Sequence, residues 1–537
     1  MNFHALRIIM LALLFAQNTA KADEDPAEIS IGERLFLETR FAQAYFAHPD
    51  KADPVMDKTI TRKQALNSPY RGKTMNCRAC HMVDEHKDNP IAGMRSYADY
   101  AKRPAVPKRT DSAKTSARNS MSMVNISLPH QSQQNAVFHF DGEFNSMDEL
   151  VRDTFTGRNF GWLAGEEKRA IQHIAKIIRE DDGKGKLARE FGGAYSKLLK
   201  GTDKNIPGKF KLPAEYRIDV ASATDKEILD VVAKLVSAYV TDLNFQMDDE
   251  GQYSASPYDA FLKLNKLPRK PHKNETAEAY SARLLNAVNR LKNPRFIKAG
   301  ENKFESHQQD FVFSKNELKG MKLFFNKGTK TTSGGNCVSC HTAPHFSDFG
   351  FHNTGLVQQN YDALHGTGSF NKLIIPDLIK RNKNHNAYLP ATMKHPTATS
   401  RFRSIAAKNK PGYTDLGLWN IFANPDMPAP QEKLQNIMCI QSTTGNKPEC
   451  NTGALLNKTV AAFKTPVLRD LGHSNPYMHT GQFPDLRQAV RVYITSSALA
   501  KNNHLRNPEE EIKEISLNEK DITPLVAFLE SLNEDYD

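Results

Sequence analysis

The sequence predicts a mainly α protein built as two tandem domains of one kind, with loop insertions. Three observations predict it. Apolar residues recur at helical spacing, and no run alternates as a half-buried strand would. Motifs of the first half return in the same order in the second, which two copies of one unit explain better than a single larger domain. At 537 residues the chain is long enough to give each copy its own core.

Taken in order, residues 1–22 read as a secretion signal. Arg7 supplies the positive region, Ile8 to Ala16 a short apolar run, and Ala20-Lys21-Ala22 a small-residue cleavage site. The run is too short to cross a bilayer and no later stretch does better, so no stable membrane insertion is expected. The first domain is placed at 23–265. It opens on an amphipathic helix carrying G-x-x-L-F at Gly32, Leu35 and Phe36. It closes on a helix with Ile228, Val232, Leu235 and Tyr239 behind a capping box, Thr224-x-x-Glu227.

The Pro- and Lys-rich stretch from Leu267 to His272 begins a linker over 266–314. The second domain, 315–537, repeats the opening at Gly320, Leu323 and Phe324. Its closing helix, with Ile522, Leu525, Val526 and Leu529, is expected behind a box at Ser516-x-x-Glu519. A further shared pattern, G-x-F-x-x-[ML]-x-x-x-V, falls at Gly142, Phe144, Met147 and Val151, and again at Gly481, Phe483, Leu486 and Val490. Segments 182–220 and 357–455 look like insertions, and the second holds Trp419.

Each half also carries C-x-x-C-H, as Cys77, Cys80, His81 and as Cys337, Cys340, His341. Two cysteines three apart can form thioethers to one porphyrin, and the adjacent histidine can bind its iron from the proximal side. A zinc knuckle, or a disulfide pair beside a chance histidine, is the alternative. With six cysteines and 18 histidines in the whole chain, two accidental matches would be very rare. The units are therefore expected to be cytochrome c-type haem domains holding two covalently bound c-type haems. That fits export to the periplasm, since c-type haem is attached outside the bacterial cytoplasm. In an oxidising compartment the remaining pair, Cys439 and Cys450, is expected to form a disulfide, with two free buried thiols as the alternative.

The formal charge is +11, or +9 once Arg7 and Lys21 leave with the signal. Such a surface suits an acidic protein partner or simple solubility, and nothing resembles a nucleic-acid motif.

More of the chain carries a resemblance. Arg118-Asn119, Val124-Asn125, Phe140-Asp141-Gly142 and Ser256-Pro-Tyr-Asp259 mark the first half. Pro344-His-Phe-Ser-Asp348, Phe351-His-Asn-Thr-Gly355, Phe463-Lys-Thr-Pro-Val-Leu-Arg469 and Pro476-Tyr-Met-His-Thr-Gly481 mark the second. Together these resemble the bacterial di-haem cytochrome c peroxidase family and its MauG-like branch. The resemblance implies a sixth ligand for the second haem iron on the helix after Pro476-Tyr-Met-His-Thr-Gly481. Methionine in the peroxidases, it is tyrosine in MauG-like members, and here the position is Tyr493. Met478 and His479 compete for the role.

By the internal repeat Thr154, a poor iron ligand, occupies the matching place in the first half. The family's loop histidine is also missing between His86 and His130. The first haem is thus expected to be open for hydrogen peroxide. The family's distal glutamate would fall near Phe160, so the acid/base stays unassigned among His139, Glu166 and Glu167. Phe140 stands where relatives have the tryptophan between their haems, leaving direct tunnelling or a relay through a residue such as Trp162. The resemblance also implies a calcium ion held by Asn119, Ser474 and Pro476, for which a purely structural loop is the alternative.

Three functions follow. A MauG-like enzyme would use peroxide to oxidise a partner, such as a protein substrate. A cytochrome c peroxidase would take electrons from a small cytochrome c or cupredoxin. A di-haem electron carrier would do no chemistry, and a vacant first iron argues against it.

Overall fold

The structure, a computed structural model, describes residues 25–47, 76–77, 81–82, 95–96, 118–163, 165–304, 307–444, 447–448 and 450–534. It is mainly α. Helix α1 (Ala27–Phe36) buries Ile31, Leu35 and Phe36. Helix α2 (Met147–Thr156) begins at Ser146, whose hydroxyl accepts from Glu149 N at 3.2 Å. Helix α3 (Glu167–Glu180) turns Ala170, Ile174 and Ile178 inward. All pack on α4 (Asp225–Asp242), which starts from the expected box of Thr224 and Glu227 with both bonds made. Gly32 lets α1 and α4 touch: a Cβ there would run into the Leu235 carbonyl oxygen and Tyr239 Cβ.

The second half repeats this. Helix α5 (Ala277–Asn289), from the stretch expected as a linker, places Tyr280, Leu284 and Val288 in the second core. Helix α6 (Lys315–Phe325) crosses a later helix, α8, at Gly320, where a Cβ would meet the Pro524 carbonyl and Phe528 Cβ. Helix α7 (Leu486–Lys501) starts from Asp485, which accepts from Gln488 N at 2.9 Å. Helix α8 (Glu519–Glu530) corrects one expectation. Its box is Asn518 with Asp521, not Ser516 with Glu519. Ser516 is held extended by Gly334, through bonds of 2.8 and 3.0 Å in both directions, so the helix cannot begin there.

The 357–455 insertion leaves and returns at one short antiparallel pair, Phe351–His352 against Phe463–Lys464. It forms its own apolar cluster around Phe402, Leu416, Trp419, Leu434 and Ile437, which Val137 and Phe140 of the first half join. Cys439 and Cys450 form a disulfide within it. The 182–220 segment instead adds Tyr195, Leu198 and Leu199 to the first core. No helix among the described residues is long and apolar enough to cross a membrane, and residues 1–22 lie outside the described ones.

Candidate haem centres

The second C-x-x-C-H motif borders a largely apolar cavity of about 250 Å³, which Phe324, Leu486, Met478 and Tyr493 also line. Cys337 opens the short turn Cys337–Ser339, entered through Asn336 in the left-handed region at φ 47. His341 N donates to Cys337 O at 2.9 Å, closing the turn. Its ring Nδ1 lies 2.9 Å from Phe346 O. A carbonyl only accepts, so Nδ1 carries the proton and Nε2 is left with a lone pair. Burial lowers the His341 pKa, which favours the neutral form of the ring.

Burial, with Cys340 beside it, pushes the Cys337 thiol up to about 12. Tyr493 projects from α7 into the same cavity. Burial and the two cysteine sulfurs push its phenol above the usual range, so a phenolate there needs a cation opposite it.

Of the first motif, Cys77 and His81 are described, while Cys80 lies outside the described residues. His81 repeats the hydrogen bonding of His341, with Nδ1 2.7 Å from Met121 O. Burial, with His139 adding to it, lowers His81 to about 4.

The loop ahead of α2 and the loop ahead of α7 share one geometry. Phe138 N donates to Phe144 O at 3.0 Å, as Tyr477 N does to Phe483 O at 2.8 Å. Gly142 N meets His139 O at 3.3 Å, as Gly481 N meets Met478 O at 3.0 Å. His139 and Met478 are both left-handed, at φ 66 and 70, and so are both glycines. His139 therefore stands where Met478 stands, and Thr154 where Tyr493 stands.

The other expected residues disperse. Phe160 is core, edge-on to Phe155 at 5.0 Å, and offers no acid. Glu166 spends a carboxylate oxygen on Leu163 N at 2.9 Å, and Glu167 sits in the first turn of α3. Trp162 is fully buried in the first core, its Nε1 donating to Phe41 O at 3.3 Å. Phe140, in contrast, borders the second cavity, and its carbonyl accepts from Lys464 N at 2.7 Å. The three expected calcium residues also border that cavity. Asn119 Nδ2 donates to Pro476 O at 2.7 Å and Ser474 Oγ to Asp470 O at 2.9 Å. Asn119 Oδ1 is buried without a partner among the described residues, a bare acceptor of the kind a hard cation takes.

No family model matches the chain. The cytochrome-c peroxidase IdrP2 of Denitromonas iodatirespirans is 26% identical over 244 residues, 44% of this chain and 43% of that protein. The methylamine utilization protein MauG of Methylorubrum extorquens is 39% identical over 71 residues, 13% of this chain and 19% of its own. The chain is similar over part of its length to cytochrome-c peroxidases and to MauG. It spans less than half the length of these family relatives. Among solved structures, the di-haem peroxidase BthA of Burkholderia thailandensis E264 aligns over 95% of this chain and 86% of its own. The TM-score is 0.44 and the identity 18%. A MauG-like protein associated with microbial copper homeostasis covers 96% and 91%, with a TM-score of 0.41 and 15% identity.

Around the loop ahead of α2, the structure adds residues that the motifs did not single out. Glu143 lies 3.1 Å from His139 Nδ1, and Arg403 binds Glu143 from the insertion. Glu143 fills the free position of Gly142-x-Phe144, where the second copy has Gln482, so an unmatched charge inside the repeat was its one signal. Arg403 gave none.

Proposed function

We propose that the protein is an exported, periplasmic di-haem c-type oxidoreductase. It reacts with hydrogen peroxide at the first haem and oxidises a partner through the second. Cys77 and Cys80, and Cys337 and Cys340, attach the haems, and His81 and His341 are the proximal ligands. Bound haem supplies the redox chemistry, taking oxidising equivalents from peroxide and passing them on.

The observation that carries this is the asymmetry of one repeated position. Tyr493 lines the second cavity, where it would serve as sixth ligand to a haem iron, while Thr154 in the matching place would leave the first iron open. The buried Tyr493 phenol ionises only with ferric iron facing it, and its hard oxygen then favours the higher oxidation states. Asn119, Ser474 and Pro476 would hold calcium between the halves. Phe140, Phe463 and His479 border the second cavity on the side of the first-half loop, and the last two rings stack at 3.7 Å.

A second reading is a cytochrome c peroxidase fed by a small cytochrome c or cupredoxin. Phe140 favours it, because phenylalanine is much harder to oxidise than tryptophan and weakens any sharing of charge between the irons.

Tyr493→Phe tests the first reading. The variant should keep both haems and lose the second iron's low-spin ferric tyrosinate spectrum, along with peroxide-driven oxidation of the partner. Unchanged spectra and turnover would rule out the ligand role.

A further inference from the structure

The 357–455 insertion reaches the His139 loop through a hairpin, and also through Lys433, which donates to Asn145 O at 2.9 Å. Leu416 N donates to Phe402 O at 2.8 Å and Ser404 N to Thr414 O at 3.2 Å, setting Arg403 opposite Asp415. Strand alternation sends Phe402 and Leu416 inward, both fully buried, with Phe402 edge-on to Trp419 at 5.2 Å. It sends Arg403 and Asp415 the other way, onto the first half. The hairpin's base is fixed. Arg381 binds the carbonyls of Trp419, Phe422 and Ala423, a guanidinium spent on holding backbone.

Arg403 donates to the two Glu143 oxygens at 2.9 and 2.5 Å and stands 3.5 Å from Asp141. Asp415 accepts two bonds from Arg118, at 2.6 and 2.9 Å, and Arg118 also meets Asp141 at 2.5 Å. Two guanidiniums thus face Asp141, Glu143 and Asp415 and neutralise them in large part, while burial, with Glu143 adding to it, pushes the neighbouring Asp153 carboxyl up to about 6. Glu143 Oε2 lies 3.1 Å from His139 Nδ1, and the Phe144 ring packs edge-on against the imidazole at 4.8 Å. A carboxylate on Nδ1 holds the proton there and leaves Nε2 as the free base, oriented by a group that is itself held in a bidentate fork. His139 repeats the place of Met478, which lines the second cavity, and it stands near enough to His81 for its charge to act on that ring.

We infer that the insertion completes the distal side of the first haem site. Arg403 fixes Glu143, Glu143 fixes His139, and His139 Nε2 carries the proton of bound hydrogen peroxide from one oxygen to the other. One O–H bond breaks and one forms, His139 ends as it began, and no electron moves in this step. The inference rests on the peroxide reading above and gives the insertion its task. His139 is the catalytic residue, and Glu143 and Arg403 are positioning residues.

Cyanide binding to the ferric holoprotein tests it without turnover. HCN must surrender its proton to bind as the anion, so its association rate reports the distal base. His139→Leu should slow association at the first haem about 100-fold. Arg403→Leu should slow it about 10-fold, with haem content and the second haem's spectrum unchanged. Arg403→Lys, which keeps the charge and loses the fork, should fall between. A purely structural Arg403 would leave the rate alone once both haems are in place. Wild-type rates in His139→Leu or Arg403→Leu would overturn the inference. If Arg403→Leu fails to take up two haems, Glu143→Gln decides, a slowed rate supporting the relay and an unchanged one refuting it. Should wild-type protein ignore peroxide while the cyanide pattern holds, the peroxide reading falls and the insertion's hold on His139 stands.

Discussion

Gly320→Ala should force apart the α6–α8 crossing. The added Cβ would collide with the Pro524 carbonyl and Phe528 Cβ, both tied to backbone, so no side-chain rotation relieves it. One helix must move by about 1 Å, which forfeits a quarter to a half of each contact across the seam. That seam holds Phe324 against Phe528 at 5.2 Å, with Ile522, Leu525 and Leu529 buried alongside. A clash this close sits at the upper end of overpacking costs, about 3 kcal/mol, and alanine's better helix propensity returns about 1 kcal/mol, leaving a net loss of about 2 kcal/mol. Urea unfolding followed by far-UV circular dichroism measures it. Gly32→Ala should cost the same at the first crossing. Gly208→Ala, where nothing lies within 4 Å of the new carbon, should stay within about 0.5 kcal/mol of wild type. Because Phe324, Leu525 and Leu529 also line the second cavity, the second haem's absorption should shift with Gly320→Ala and not with Gly32→Ala. A Gly320→Ala midpoint equal to that of Gly208→Ala would refute the close crossing.

Two further outcomes are expected. Burial pushes the Glu534 carboxyl up to about 8, although Arg469 lies 3.0 Å away. The folded state therefore holds this proton more tightly than the unfolded state. The stability it contributes is present below about pH 4.5 and lost as pH rises through 8, about 5 kcal/mol in all. Glu534→Gln should match wild type near pH 4.5 and exceed it at pH 9, and equal unfolding midpoints at pH 9 would contradict the burial argument. Cys450→Ser opens a link between positions 11 apart and should destabilise the insertion by about 3 kcal/mol. Hydrogen exchange in 431–455 should rise, and unaltered protection would show the bond to be dispensable.

What was legible in the sequence was local. Gly32 and Gly320, the Thr224 box, and the loops ahead of α2 and α7 are each specified within a few residues, so the duplicated architecture could be read directly. Ser516 misled because its backbone is claimed by Gly334, 182 positions earlier, a long-range pairing that no capping pattern encodes. Tyr280, Leu284 and Val288 mark a helix by spacing, but not which core it joins. The distal cluster was the least visible. Glu143 and Arg403 are 260 positions apart and meet because the insertion folds on Trp419 and Phe402. Phe160, where alignment to the family points, is simply core.

The most direct test of the account is low-temperature electron paramagnetic resonance of the diferric holoprotein as isolated, before and after hydrogen peroxide. The account predicts one high-spin ferric signal from an open first haem and one low-spin signal from a second haem capped by Tyr493, with both changing on peroxide addition. Two low-spin signals, unmoved by peroxide, would contradict it.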